Sequence, residues 1–372
     1  MQGVHLMKIL CSRDRLIESI GIVQKAVATR STLPILDGIL IEVTDRVKLT
    51  GYDLETGIEC FVDADVMDPG SIVINSRIFG EIIKKLPDDI VTIEIQGNNA
   101  IAIESGTSKF SIKGIPAEGY PRLPVVENSA KAPIPQKALK DMIRQTLFAV
   151  STDESRPILN GSYVVCDGTH LEIVSIDGFR LALRRREIGK DLPTLKFIVP
   201  GRALGEVGRI LGNTDDPVDI YPSQNHILFD TGKIKLVSRL IQGDYMNYRG
   251  IIPQTAETSV RISPQVMMQA MERASLVITS EDRRFPVRLS MGGDDVLVVS
   301  ANTDVGALRE EINVDMSGSP IDIDFNPRYF LDALRAVDDE EIMVSFNGGM
   351  GPCVLRPVDG EAFAYLVLPL RR

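Results

Sequence analysis

The strongest constraint on how this chain folds is that it repeats itself three times. Amphipathic segments with helical spacing begin at positions 13, 135 and 264, so successive starts lie close to a third of the chain apart. Each is answered by a second helical segment, opening at positions 75, 201 and 326, so the separation within each pair is nearly constant. Between the paired helices run strand-like stretches: 38–43 with 47–50, 162–166 with 171–176, and 287–291 with 296–301. Asp or Gly residues part each pair, which is hairpin chemistry. After each second helix comes another set, clearest where Val91, Ile93 and Ile95 precede Ile101 and Ile103 in the alternation of half-buried strands. A proline precedes the first hairpin of every block (Pro34, Pro157, Pro286), and an aspartate follows it at almost the same spacing each time (Asp53, Asp177, Asp304). This period exceeds the roughly 20 to 50 residues of solenoid arrays, so the copied unit is a whole domain. The expected fold is α+β: three like-folded domains, each with two helices packed on antiparallel sheet. Linkers at 116–135 and 251–259 set the boundaries, giving an extension over 1–6 and domains over 7–127, 128–254 and 255–372.

Charge is partitioned between these elements. The chain carries 41 basic and 51 acidic residues, a net charge of −10, which argues against a protein that coats nucleic acid with its whole surface. The six helical segments, the first extended to Arg30, hold 15 basic and 7 acidic residues, so the remainder carries −18. In the segment from 135, Lys137, Lys140 and Arg144 fall at i, i+3 and i+7 on one stripe, opposite Leu139, Met142, Ile143, Leu147 and Val150. A basic stripe on one helix is usually a solvated face. Six helices, five of them net positive, point instead to a surface that meets phosphate. With no tryptophan, 5% aromatics and no zinc-finger or RRM pattern, that surface would hold a nucleic acid backbone without reading its bases.

Other function classes find little support. There is no P-loop, H-E-x-x-H or G-x-S-x-G motif, and the glycines at 348, 349 and 351 suit a turn better than a phosphate cradle, so no catalytic residue is expected. Cys11, Cys60, Cys166 and Cys353 stand too far apart for a zinc ribbon and read as free, mostly buried thiols. His5, His170 and His226 are isolated, and the acidic pair at 215–216 and run at 338–341 lack EF-hand spacing, so neither a metal nor a cofactor is expected. No apolar run approaches the roughly 18 residues of a membrane span, and residues 1–6 lack the regions of a signal peptide, which makes the cytoplasm the expected location.

Particular motifs add a family resemblance over residues 7–372: Met7-Lys8 at the start, Thr32-Leu33-Pro34-Ile35-Leu36, Leu49-Thr50-Gly51-Tyr52-Asp53-Leu54-Glu55, Asp177-Gly178-Phe179-Arg180-Leu181-Ala182, and the closing Leu368-Pro369-Leu370-Arg371. In order and spacing these resemble the bacterial sliding clamps, the beta subunits of DNA polymerase III. The resemblance implies half of a six-domain ring, with helices on the inner wall and sheet outside. It also implies a head-to-tail homodimer around double-stranded DNA, placed by a clamp loader, and tethering of the replicative polymerase and other proteins through short peptides, in the cytoplasm at the nucleoid. Arg30, Arg77, Lys84, Arg202 and Arg209 match positions near DNA, to which the stripe of Lys137, Lys140 and Arg144 is added. Arg156, Leu159, Gly178, Arg180, Leu181, Met246, Ile251, Leu366, Leu368, Pro369, Leu370 and Arg371 match the partner groove, and Phe110, Ile112 and Ile278 the subunit interface. The chain departs from common members at Pro157-Ile158, where an aromatic pair occurs, at Phe179, often histidine, and at Met246, often proline.

Geometry independently favours two chains. Six helices of about 10 Å diameter set side by side make a circle about 19 Å across with about 9 Å free. Duplex DNA, about 20 Å wide, would not pass. Twelve helices leave a hole of about 28 Å. The competing expectation is a triplicated β-rich scaffold that binds only proteins, and DNA retention separates the two.

Overall fold

The computed structural model describes residues 7–28, 31–126, 130–278 and 286–370. The extension 1–6, Arg30 and Arg371 therefore lie outside the described residues. Six α-helices fall where the repeat requires them: α1 (Arg13–Val23), α2 (Ser76–Lys84), α3 (Gln136–Arg144), α4 (Gly201–Ile210), α5 (Pro264–Ser275) and α6 (Pro327–Arg335). All end earlier than the sequence pattern alone suggests. Side chains competing for backbone groups explain two of these ends: the Thr146 hydroxyl donates to the Met142 carbonyl at 2.8 Å, and the Ser275 hydroxyl to that of Met271 at 2.7 Å. The starts of α2 and α6 are capped alike, Asn75 accepting from the Ile78 N–H and Asn326 from the Arg328 N–H.

The chain forms two compact units, Met1–Gln136 with Arg209–Leu240, and Lys137–Gly208 with Ile241–Arg372. In the first, a five-stranded antiparallel sheet runs in the order Ala64–Asp68, Lys8–Ser12, Ile90–Gln96, Ala100–Ser105, Ser108–Lys113. Its alternation is the one expected: Val91, Ile93, Ile101 and Ile103 are fully buried. An eight-stranded sheet carries Gly70–Asn75, Gly38–Val43, Val47–Tyr52 and Thr56–Val62 of the first repeat straight into Ile234–Arg239, His226–Asp230, Pro217–Pro222 and Ala132–Pro135 of the second.

The second unit repeats the device. Its seven-stranded sheet joins the long hairpin Gly161–Ile176 and Arg180–Pro200 of the second repeat to Phe363–Val367 of the third. Cys353–Pro357, Ile342–Phe346, Thr258–Ile262 and Asp315–Gly318 follow. A four-stranded sheet runs Gly306–Asn313, Val296–Thr303, Val287–Met291, Ile321–Phe325. Phe325, Phe330, Phe346, Phe363 and Tyr365, all buried, fill the core between sheet and helices α5 and α6. Each such phenylalanine removed from water contributes about 1.5–3 kcal/mol.

The recurring aspartates also find a physical reason, with one correction. Asp53 Oδ1 accepts from the N–H groups of Glu55 and Thr56, and Asp177 Oδ1 from those of Phe179 and Arg180, so each closes the turn between two strands. In the third repeat Thr303, not Asp304, takes this part, accepting from the Val305 N–H at 3.2 Å. The four cysteines are buried free thiols, and burial pushes Cys11 and Cys166 up to about 11. Among the described residues no helix is long and apolar enough to cross a membrane, and no cluster of metal-ligating side chains occurs.

Candidate partner groove, edges and basic helix faces

The groove residues expected from sequence meet in the second unit. Leu159, Leu181 and Leu366 belong to one buried cluster with Val174, Ile176, Leu183, Tyr248, Ile252, Val354 and Ala364. They come together because Leu181 and Leu366 sit directly opposite each other where the two repeats share a sheet, and strand periodicity aims Leu181 and Leu183 to the same face. Tyr163 and Tyr245 stack at 5.0 Å beside the cluster and anchor the linker that carries Met246 and Ile251. These two and Leu368 stay 41, 41 and 39% exposed, an unusual amount of large apolar surface next to a buried apolar floor.

Backbone hydrogen bonds fix the tail: Leu368 N–H donates to the Phe179 carbonyl at 2.9 Å and Leu370 N–H to that of Asp324 at 2.8 Å. Gly178 holds the turn below Leu368 at φ +96°, a backbone conformation that favours glycine. A Cβ there would stand 3.1 Å from Arg156 Nη1.

The two arginines differ. Arg156 is exposed at the rim, paired to Asp153 at 3.3 Å. Arg180 is largely buried and fully engaged, to Asp177 at 2.9 Å, Asp332 at 2.6 Å and the Phe148 carbonyl at 2.6 Å, with its guanidinium over Tyr329. Its work is to fasten the turn to α6. Sequence reading missed Asp332 and Tyr329, for which a carboxylate and an aromatic one turn apart on an amphipathic helix gave no distinguishing signal.

Of the basic helical residues, Arg77, Lys84, Lys137, Arg144, Arg202 and Arg209 are exposed and Lys140 is half-buried. Arg77 and Lys84 share α2 with Phe79 and Ile83, which are fully buried on its other side. Arg144 makes a forked bond to Asp338 at 2.6 and 2.8 Å, and Lys84 lies 3.7 Å from Glu81.

Phe110 and Ile112 lie on Ser108–Lys113, the outermost strand of the five-stranded sheet. Gly306–Asn313 is likewise outermost in the four-stranded sheet, and the partly buried Ile278 and Leu308 pack on the same core. Nearby in sequence, Leu276 and Val305 are 83 and 71% exposed. Neither was singled out from sequence, because a lone Leu after a helix and a lone Val in a turn carry no periodic signal.

Models of the DNA polymerase III beta subunit match most of the chain in succession: the N-terminal domain over residues 7–124, the central domain over 133–247 and the C-terminal domain over 249–371. The chain is 38% identical to the beta sliding clamp of Bacillus subtilis over 379 residues, covering 98% of this chain and all of that one. Identity to the beta sliding clamp of Halalkalibacterium halodurans is 37% at the same coverage. The crystal structure of the DNA polymerase sliding clamp from Bacillus subtilis superimposes with a TM-score of 0.94 at 37% identity, covering 98% of this chain and 99% of that one.

Proposed function

Because the chain belongs to the DNA polymerase III beta subunit family, we propose that two copies close head to tail into a ring that encircles duplex DNA and tethers polymerases to it. It is a sliding clamp, a processivity factor of DNA replication and not an enzyme. Its domains run over 7–127, 128–254 and 255–372, and it works in the cytoplasm.

The observation that carries the ring is the way one repeat hands its sheet to the next. Ile58 faces Leu236 across the first junction, and Ala182 faces Tyr365 across the second, both antiparallel. Pairing registers carry this equivalence onward. Counted from the strand that opens each repeat, Ile103, Phe229 and Leu355 correspond, and their cross-strand partners are Phe110, Leu236 and Tyr365. Counted from the residue before the second helix, Gly51, Ser175 and Ala301 correspond, and theirs are Ile58, Ala182 and Leu308. The third junction therefore pairs Phe110 of one copy with Leu308 of the other. Burial agrees: Leu236 and Tyr365 are 1 and 0% exposed beneath their neighbours, whereas Phe110 is 39% exposed. A row of unpaired backbone groups at each end is a liability that ring closure removes. In this register Arg309 lies opposite Lys109, each neutralised by a carboxylate of its own sheet, Glu311 at 2.8 Å and Glu104 at 3.1 Å, and Glu311 is also diagonal to Lys109.

Cross-linking tests this register. It sets Ser111 opposite Ala307, so Ser111→Cys with Ala307→Cys places two thiols at the separation a disulfide spans. The native thiols, buried and held neutral, do not compete. Mild oxidation should yield a covalent dimer that stays on circular DNA through high salt and leaves linear DNA by its ends. The pair Ser111→Cys with Arg309→Cys, shifted one step further along the same face, should not cross-link. Equal cross-linking of both pairs, or loss from circular DNA after closure, refutes the ring.

Within the ring, Arg30, Arg77, Lys84, Lys137, Lys140, Arg144, Arg202 and Arg209 meet phosphates without reading sequence. The groove around Leu159, Leu181, Met246, Ile251, Leu366 and Leu368 takes short peptides of polymerases and of the clamp loader.

A further inference from the structure

We infer that a cavity continuing this groove recognises an acidic side chain of the docked peptide, a reading that rests on the groove assigned above. The cavity, of about 400 Å³, shares Leu183, Ile252 and Ala364 with the buried cluster of the groove, so the apolar floor runs into it without a break. Its walls change character. Arg185, Arg249 and Arg356 line it, against Glu172 and Glu361.

Glu172 does not oppose an incoming carboxylate, because it is already engaged. It is 4% exposed, accepts a short hydrogen bond from the Tyr248 hydroxyl, and is held by Arg249 at 2.8 and 3.0 Å through one nitrogen only. Glu361 stands exposed at the mouth. Arg185 continues the face of Leu181 and Leu183 along its strand. Arg356 is fixed by a short hydrogen bond to the Pro253 carbonyl. Among the described residues neither Arg185 nor Arg356 is in an ion pair, so both keep donors for a ligand. A concave, partly apolar wall focuses their field, and guanidinium forks favour a carboxylate over a point anion. In a chain of net charge −10, a net positive cavity abutting an apolar peptide groove selects for partners with an acid beside their apolar anchors.

Fluorescence polarisation with C-terminally amidated groove peptides tests this, using pairs that differ only by Glu or Gln at successive positions flanking the apolar anchors. Amidation removes the terminal carboxylate, so the side chain alone is read. At one position the Glu peptide should bind about five- to tenfold more tightly, as expected for a half-exposed charge-assisted pair. This ratio should fall towards one in the Arg185→Gln, Arg356→Gln double variant, where effects common to both peptides cancel. It should also shrink in the unaltered protein as salt rises. No position preferring Glu, or a preference that survives the double variant or high salt, overturns the inference and leaves the groove standing. Failure of the Gln peptides themselves to bind overturns the groove and this inference with it.

Discussion

Replacing Phe110 by Ala isolates the energy of ring closure. A Phe side chain presents roughly 200 Å², so its 39% exposure corresponds to about 80 Å² that closure hides. At about 25 cal/mol per Å² that is about 2 kcal/mol for each interface. A closed ring has two, so the dimerisation free energy weakens by about 4 kcal/mol, about a thousandfold in Kd. The part of Phe110 already covered by its own sheet is covered in monomer and dimer alike. Its loss lowers the melting temperature of the first domain without entering the dimerisation constant. Sedimentation equilibrium over a concentration series reads Kd directly, and circular dichroism at the same concentrations confirms the fold. A Kd within threefold of the unaltered protein would show that Phe110 is not under a partner, and the register carried from Leu236 and Tyr365 would fall with it.

Two further outcomes follow from the groove. Deleting residues 369–372 removes the segment that Leu370 pins to Asp324, so peptide affinity should drop at least tenfold by fluorescence polarisation while the dimer persists on a sizing column; unchanged affinity would exclude the tail as a wall. Burial first, and the Glu172 carboxylate second, raise the Tyr248 hydroxyl from 10.0 to about 12. A pKa raised in the folded state contributes stability that is whole below pH 10 and is lost as pH climbs towards 12, so urea midpoints should decline across that window. Tyr248→Phe should flatten the decline, and an identical profile in both proteins would contradict the assignment.

Much of this architecture was written in periodicity, and what was not has identifiable causes. The helices, the hairpins and the three copies follow from apolar spacing, which survives in each repeat because every copy buries the same faces: Phe79 and Ile83 on α2 do what Phe330 and Leu334 do on α6. The sharing of sheets between repeats was not legible, since Leu181 and Leu366 lie about half the chain apart and nothing local to either names the other. The same holds for Arg180. The resemblance placed it in the partner groove, but a buried guanidinium is defined by what reaches it, and Asp332 and Phe148 come from other elements. The basic faces were visible as a charge count, whereas the pairing of Arg144 with Asp338 needed the fold.

The turn that follows the second strand of each hairpin shows how copies of one domain diverge in detail. In the second repeat the left-handed position belongs to Gly178, at φ +96°. The matching position in the first repeat is Leu54, at φ +74° and 45% exposed, although an L side chain there costs about 1–2 kcal/mol. Both turns close on an aspartate and both lead into a strand that joins the next repeat, so the backbone requirement is common. The difference lies in what approaches from outside. At Gly178 the Arg156 guanidinium comes within 3.1 Å of where a Cβ would be, and Leu368 bonds the neighbouring carbonyl, so a side chain there would have to displace Arg156 as well as adopt the left-handed backbone. In the first repeat the pressure falls instead on Gly57 within the strand, where a Cβ would meet the Leu123 side chain at 2.6 Å. There the first linker packs Leu123 on the sheet face, as the second linker packs Tyr245 and Tyr248 on the cluster that holds Leu181. Both repeats thus cover this face with their own linkers, and the glycine stands where a neighbouring side chain comes closest.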